Sequence, residues 1–225
     1  QARDDQGQWT DGGGGDGGGA VAGVIDLGDK TLSPTLSEAT PYFKIEAAPL
    51  TVQEAEAVRD YTRRSFEAIN EALREGEEDE DPDMQATVDG IDRAIDSSRL
   101  TADLVVYRGM VSEEFRGRKM VGHRILDHGY LSPSLSSRQG EQFADFAGLQ
   151  ASAATHDRIL FRITVPRGTR ALLVGAPPAV KGAGRPEPLT RHVAEGEVLL
   201  PRETEMEVTG ERRRGVLRVV EARLV

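Results

Sequence analysis

A change of hydrophobic period near residue 100 limits the possible folds more than any other feature of this chain. Before it, apolar residues recur at helical spacing. Val58, Tyr61, Thr62, Ser65, Phe66, Ile69 and Leu73 share one face of a helix predicted over 50–74. Thr51 can cap it, with Glu54 three residues on as its capping-box partner, and Gly76 ends it. A second helix is predicted over 84–98, with Val88, Ile91 and Ile95 turned inward. Beyond it the chain reads as short β-branched runs punctuated by Gly and Pro. These predict strands over 104–108, 128–135, 159–165, 169–174, 197–200, 204–208 and 216–224, with a short helix over 139–149. Helices first and strands afterwards is an α+β order, not a doubly wound one. No internal repeat is visible.

Residues 1–20 read as a flexible Gly-rich linker, 21–39 as an irregular lead-in and 40–225 as the folded domain. Positions 11–19 hold seven glycines and two aspartates, which cannot repay their ordering entropy. The tract matches a loose GxGxxG pattern, but no strand precedes it, so the match decides nothing. The stretch RDDQGQWTDGGGG resembles linkers of tailed-phage head proteins. A folded part of roughly 180 residues buries about 70% of its unfolded surface, enough for a core and a cleft. The 38% hydrophobic content excludes disorder throughout.

A net charge of −10 argues against general nucleic-acid binding. A small anionic ligand remains possible, because a few placed arginines decide that locally. The absence of cysteine removes disulfides, zinc thiolate sites and thiol catalysis. No apolar run approaches the ~20 residues of a membrane span, and no signal-peptide pattern opens the chain. Gln1 is not a start methionine, so a fragment or a processed product is expected. The four histidines show no metal spacing, so no metal site is expected, and neither a Walker loop nor a G-x-S-x-G elbow occurs. Residues 71–83, with eight acidic side chains and one basic, read as a solvated loop. Tyr42 and Phe43 read as core. Arg212, Arg213 and Arg214 read as a solvated hairpin turn.

Three stations carry chemistry. In Val105-Val106-Tyr107-Arg108-Gly109 a short apolar strand delivers an arginine, whose fork of donors suits phosphate oxygens. Gly109 then allows a ligand close to the backbone. In Gly129-Tyr130-Leu131-Ser132-Pro133-Ser134-Leu135 two serines stand two apart and would face the same way in a strand. Glu195-Gly196-Glu197 sets two carboxylates directly ahead of apolar Val198-Leu199-Leu200, on one face if extended. Such a pair at a cleft rim suits reactions through an oxocarbenium ion. A second Glu-x-Glu at Glu203 and Glu205, continued by Glu207, reads as the exposed face of the next strand.

Arginine, then a serine pair, then E-x-E, in that order, resembles the mono-ADP-ribosyltransferase toxins of the Arg–Ser–Glu type. The likeness extends upstream, where Tyr61-Thr62, Ile69-Asn70 and Leu73-Arg74 resemble the family's first helix, and Ile91, Ile95 and Leu104 resemble the second helix leading into the arginine strand. It covers about residues 40–225. The resemblance implies an ADP-ribosyltransferase-like α+β fold, in which two small perpendicular β-sheets form an NAD cleft with the N-terminal helices packed alongside.

It implies NAD as substrate, with Arg108 on the pyrophosphate and Gly109, Ser134 and Phe143 among the binding residues, Phe143 stacking on nicotinamide. It implies that Ser132 orients Glu197, that Glu197 stabilises the oxocarbenium, and that Glu195 deprotonates an acceptor arginine of an unknown target protein. Pro133 departs from the usual Ser-Thr-Ser and predicts an edge or a break in that strand. The loop over 181–194 lacks the aromatic that many relatives use in target choice, a place His192 could take. An NAD glycohydrolase without a protein target, and a non-catalytic phage structural or interaction module, are the alternatives. A phage virion or antitoxin partner, and secretion or injection into a host cell, belong to the same expectation.

Overall fold

The computed structural model describes residues 24–28, 45–78, 81–150, 157–176, 178–182 and 187–225. The expected linker over 1–20, Tyr42 and Phe43 lie outside them.

Thr51 starts the first helix with both arms of the capping box closed: its hydroxyl accepts from Glu54 N–H, and the Glu54 carboxylate accepts from Thr51 N–H. α1 (Val52–Asp60) runs through a π-helical turn (Tyr61–Ser65) into α2 (Phe66–Glu75), which ends on left-handed Gly76. The extra residue of the π-turn breaks the constant step of about 100° on which helical spacing rests. Asn70 therefore turns inward, buried, while Phe66, expected inward, is 47% exposed. α3 (Pro82–Asp96) starts at Asp81, which caps it ahead of Pro82. It packs on α1, and Gly90 has room for no more than hydrogen against Ala57. The expected inward residues Val88, Ile91 and Ile95 are fully buried.

A short antiparallel pair, β1 (Ile45–Ala47) and β2 (Ser98–Leu100), closed across the intervening helices, was not legible in the sequence. The main sheet has five strands in the order β3-β5-β9-β8-β4. They are β3 (Leu104–Ser112), β4 (Arg124–Asp127), β5 (Asp157–Val165), β8 (Thr204–Arg214) and β9 (Leu217–Leu224). Only the β5–β9 pair in this sheet is parallel. α4 (Ser137–Gln150) covers the outer side of β3 and β5 through Ala144.

A small sheet of β6 (Leu172–Leu173) and β7 (Val198–Leu199) lies between the five-stranded sheet and the helices. Its alternation shows this. Leu173, Val198 and Leu200 join the core under the main sheet, whereas Leu172, Val174 and Leu199 join the core under α1–α3. The result is the α+β architecture expected, with two sheets sharing an inner core.

The strand expected over 128–135 does not form. Pro133 has no N–H, and the segment makes only single bridges, Leu131 to Leu200 and Ser134 to both Tyr107 and Glu197. The strand expected over 169–174 shrinks to two residues. Residues 24–28, placed by the sequence in an irregular lead-in, lie along the edge of β3 away from β5, with Ile25 bridged to Leu104 and Leu27 buried. Arg212, Arg213 and Arg214 end β8 in ion pairs to Glu221, Asp157 and Glu141, so they precede the turn rather than form it.

Candidate active site

The strand period of β3 aims Arg108. Leu104 and Val106 face the inner core and Val105 and Tyr107 face α4, so Arg108 falls on the inner side and Gly109 on the α4 side. A Cβ on Gly109 would stand 1.8 Å from the Gly140 carbonyl oxygen and 2.6 Å from Ala144 N. The close backbone approach expected there for a ligand is made by α4 instead.

Arg108 is largely buried, and its Nη2 lies 3.6 Å from Asp127 Oδ2. Arg74, in the last turn of α2, grips the same carboxylate through Nε and Nη2 at 3.1 and 3.3 Å. Burial lowers the Arg108 pKa, Asp127 opposes that shift and Arg74 adds to it. A guanidinium stays charged regardless. Two cations thus converge on one carboxylate at the end of β4. Arg74 was legible only as part of a helix resemblance, because its partner is 53 residues away. Gly129 makes the contact possible: a Cβ there would stand 2.7 Å from Asn70 Oδ1 and 3.3 Å from Arg74 Nη2.

The two serines divide their work. Ser134 is buried, and its hydroxyl donates to the Glu195 carbonyl at 2.5 Å and accepts from Ser136 N–H at 3.0 Å. Its backbone bonds both ways with Tyr107, tying the segment to β3 one residue before Arg108. Ser132 faces the Glu197 carboxylate and pulls its pKa down. Pro133 offers its carbonyl to Val198 N–H at 2.9 Å.

The glutamates do not lie side by side on an extended strand as expected. Glu195 ends a 3₁₀ turn (Val193–Glu195), and Gly196 follows in the left-handed conformation, φ 58° and ψ 40°. That conformation costs a non-glycine residue and suits glycine. The turn still holds the carboxylates near enough for Glu195 to raise the Glu197 pKa. Burial is the larger cause, and together they push Glu197 up to about 7 against the opposing Ser132 bond. Burial also raises Glu195, which His192, 3.6 Å away, partly offsets. Phe143 stands on α4, on the far side of β3 from Arg108, with its ring 42% exposed. Glu203 pairs with His128 and Glu205 with Arg124, outside this group.

The site is thus two guanidiniums sharing one carboxylate, a buried carboxyl group with a raised pKa beside a serine, and a second, less buried carboxylate next to it. It can hold a diphosphate, stabilise a cation and take up a proton. The family model for ADP-ribosyltransferase exoenzymes matches residues 38–220. An NAD(+)–arginine ADP-ribosyltransferase of Enterococcus faecalis, EFV, is 24% identical over 136 residues, spanning 60% of this chain and 26% of that protein's length. Plx2a, an ADP-ribosyltransferase toxin from Paenibacillus larvae, superposes with a TM-score of 0.60 at 25% identity, covering 78% of this chain and 87% of Plx2a. The Vibrio splendidus ADP-ribosyltransferase Vis, in a complex with agmatine, superposes with a TM-score of 0.60 at 17% identity, covering 80% and 77% of the two chains.

Proposed function

The chain belongs to the ADP-ribosyltransferase exoenzyme family, and on that premise we propose that it cleaves NAD and transfers ADP-ribose to an arginine of a protein. The observation that carries this is the meeting of distant segments: Ser132 and Glu195 both act on Glu197, which is held near pKa 7, and Arg108 and Glu197 both act on the buried Tyr61. Arg108 and Arg74 bind the pyrophosphate, and Asp127 is the counter-ion that holds the two guanidiniums together. Glu197, as carboxylate, stabilises the positive charge that grows on the ribose as the bond to nicotinamide breaks. Glu195 accepts the proton that the attacking guanidinium nitrogen loses as it bonds to the ribose C1′. The acceptor class is supported by the arginine transferase EFV and by the agmatine complex of Vis.

The test is to incubate the chain with NAD and agmatine beside Glu195→Ala and Glu197→Ala, and to separate the products. An ADP-ribosyl-agmatine adduct that requires both glutamates is expected, with each loss costing ~100- to 1,000-fold in rate. Nicotinamide release without an adduct would replace this reading with NAD hydrolysis. No NAD turnover at all would replace it with a non-catalytic module.

A further inference from the structure

The π-turn within the first helix builds a contact that an unbroken α-helix would forbid. Tyr61 and Asn70 are nine residues apart, which in a regular helix sets them about 180° apart on opposite faces. The π-turn (Tyr61–Ser65) absorbs one residue and removes about 100° of that rotation. Asn70 Nδ2 consequently reaches Tyr61 Oη at 2.9 Å, inside the core. Single-residue π insertions of this kind are frequent at functional sites.

The proton order in this contact follows from a backbone group. Tyr130 N–H can only donate, and it donates to Asn70 Oδ1 at 2.8 Å. That fixes the amide with Nδ2 toward Tyr61, so the Tyr61 oxygen is an acceptor there. Tyr61 keeps its own proton for its other neighbour, Ser132 Oγ, at 3.4 Å. Ser132, accepting that bond through its oxygen, is left with its own O–H to donate to Glu197. The tyrosine ring is clamped edge-on against Tyr130, with centroids 5.5 Å apart and planes at 81°. Burial raises the Tyr61 pKa and outweighs the opposing Ser132 and Asn70 bonds, with the charge of Glu197 adding to the rise, so Tyr61 stays neutral where Glu197 titrates.

We propose that Tyr61 is a positioning residue of the active site: it completes a one-way hydrogen-bond chain, Asn70 to Tyr61 to Ser132 to Glu197, that poises Ser132 as a donor to the Glu197 carboxylate. The chain polarises along its length, each bond strengthening the next. The 3.4 Å link is long for a hydroxyl pair, and catalytic bonds of this kind tighten on substrate binding. The charged and titratable groups around Glu197 are Glu195 from its own turn, Tyr61 from the helix, and Arg108 from β3, whose field reaches Tyr61. Of these, Tyr61 is the one that acts on it through Ser132. The role rests on the reading of Glu197 as the carboxylate that stabilises the ribose cation, but the chain itself can be tested without turnover.

Tyr61→Phe keeps the ring and its packing and deletes the hydroxyl. With glutamate labelled in its carboxyl carbon, and the Glu197 resonance assigned through Glu197→Gln, NMR titration of the full chain gives the Glu197 midpoint directly. The Tyr61→Phe variant is expected to raise that midpoint by about half a pH unit or more, because the carboxylate loses its poised donor. In NAD hydrolysis the acid limb of the rate profile is expected to move up equally, so that kcat at pH 6.5 falls about 3-fold for a half-unit shift, with KM for NAD staying within about 2-fold. Asn70→Asp, which offers a carboxylate oxygen in place of the Nδ2 donor, is expected to move the midpoint in the same direction. A lower melting temperature with an unmoved midpoint in both variants would overturn the proposal and leave Tyr61 a packing residue. If the wild type fails to hydrolyse NAD, the functional reading falls, and the titration still decides the hydrogen-bond chain.

Discussion

Glu197→Gln is expected to stabilise the protein at neutral and higher pH while abolishing its chemistry. The folded chain holds the Glu197 proton up to about pH 7, whereas an unfolded glutamate releases it near 4.5. Between those values the folded state binds more protons than the unfolded state, so stability falls as pH rises through the window. At ~1.4 kcal/mol per pH unit, ionising Glu197 costs the fold about 3 kcal/mol above pH 7 and nothing below pH 4.5. Glutamine has nearly the same volume, still accepts from Ser132, and carries no charge to desolvate. The variant should therefore melt about 5–10 °C above the wild type at pH 8, for a domain of this size, and coincide with it at pH 4.5. Differential scanning calorimetry at the two pH values measures the gap. NAD turnover by the wild type should rise with pH through about 7, as the carboxylate forms, and be lost by ~100- to 1,000-fold in the variant. An equal gap at both pH values, or a less stable variant at pH 8, would refute the claim that burial destabilises this carboxylate.

Gly109→Ala forces a methyl group to within 1.8 Å of the Gly140 carbonyl oxygen, so α4 must lift from β3. A loss of about 3 kcal/mol or more is expected in urea unfolding, because both sides of the clash are backbone. Asp127→Asn removes the charge that holds Arg74 and Arg108 at one point and leaves two cations to repel each other. KM for NAD is expected to rise about 3- to 10-fold with kcat little changed, read from steady-state NAD hydrolysis.

Local chemistry made much of this protein legible from its residues alone. Capping at Thr51, the stop at Gly76 and the inward stripe of Val88, Ile91 and Ile95 are each encoded within a few residues, and each is present. The order of helices before strands set the fold class for the same reason. The three stations were visible because strand ends and turns constrain their residue types locally. Tertiary structure decided the rest. Gly109 serves a helix that begins 28 residues later in the chain, at Ser137. Arg74 meets Asp127, and Tyr61 meets Ser132, across separations of 53 and 71 residues that no periodicity spans. Residues 128–135 have the composition of a strand, but Pro133 leaves them only single bridges between two sheets. The π-turn has no composition signal, yet it decides that Tyr61 and Asn70 meet on one face, beside Ser132. The pKa of Glu197 depends on how much water the assembled cores exclude, and the sequence of one strand does not carry that quantity.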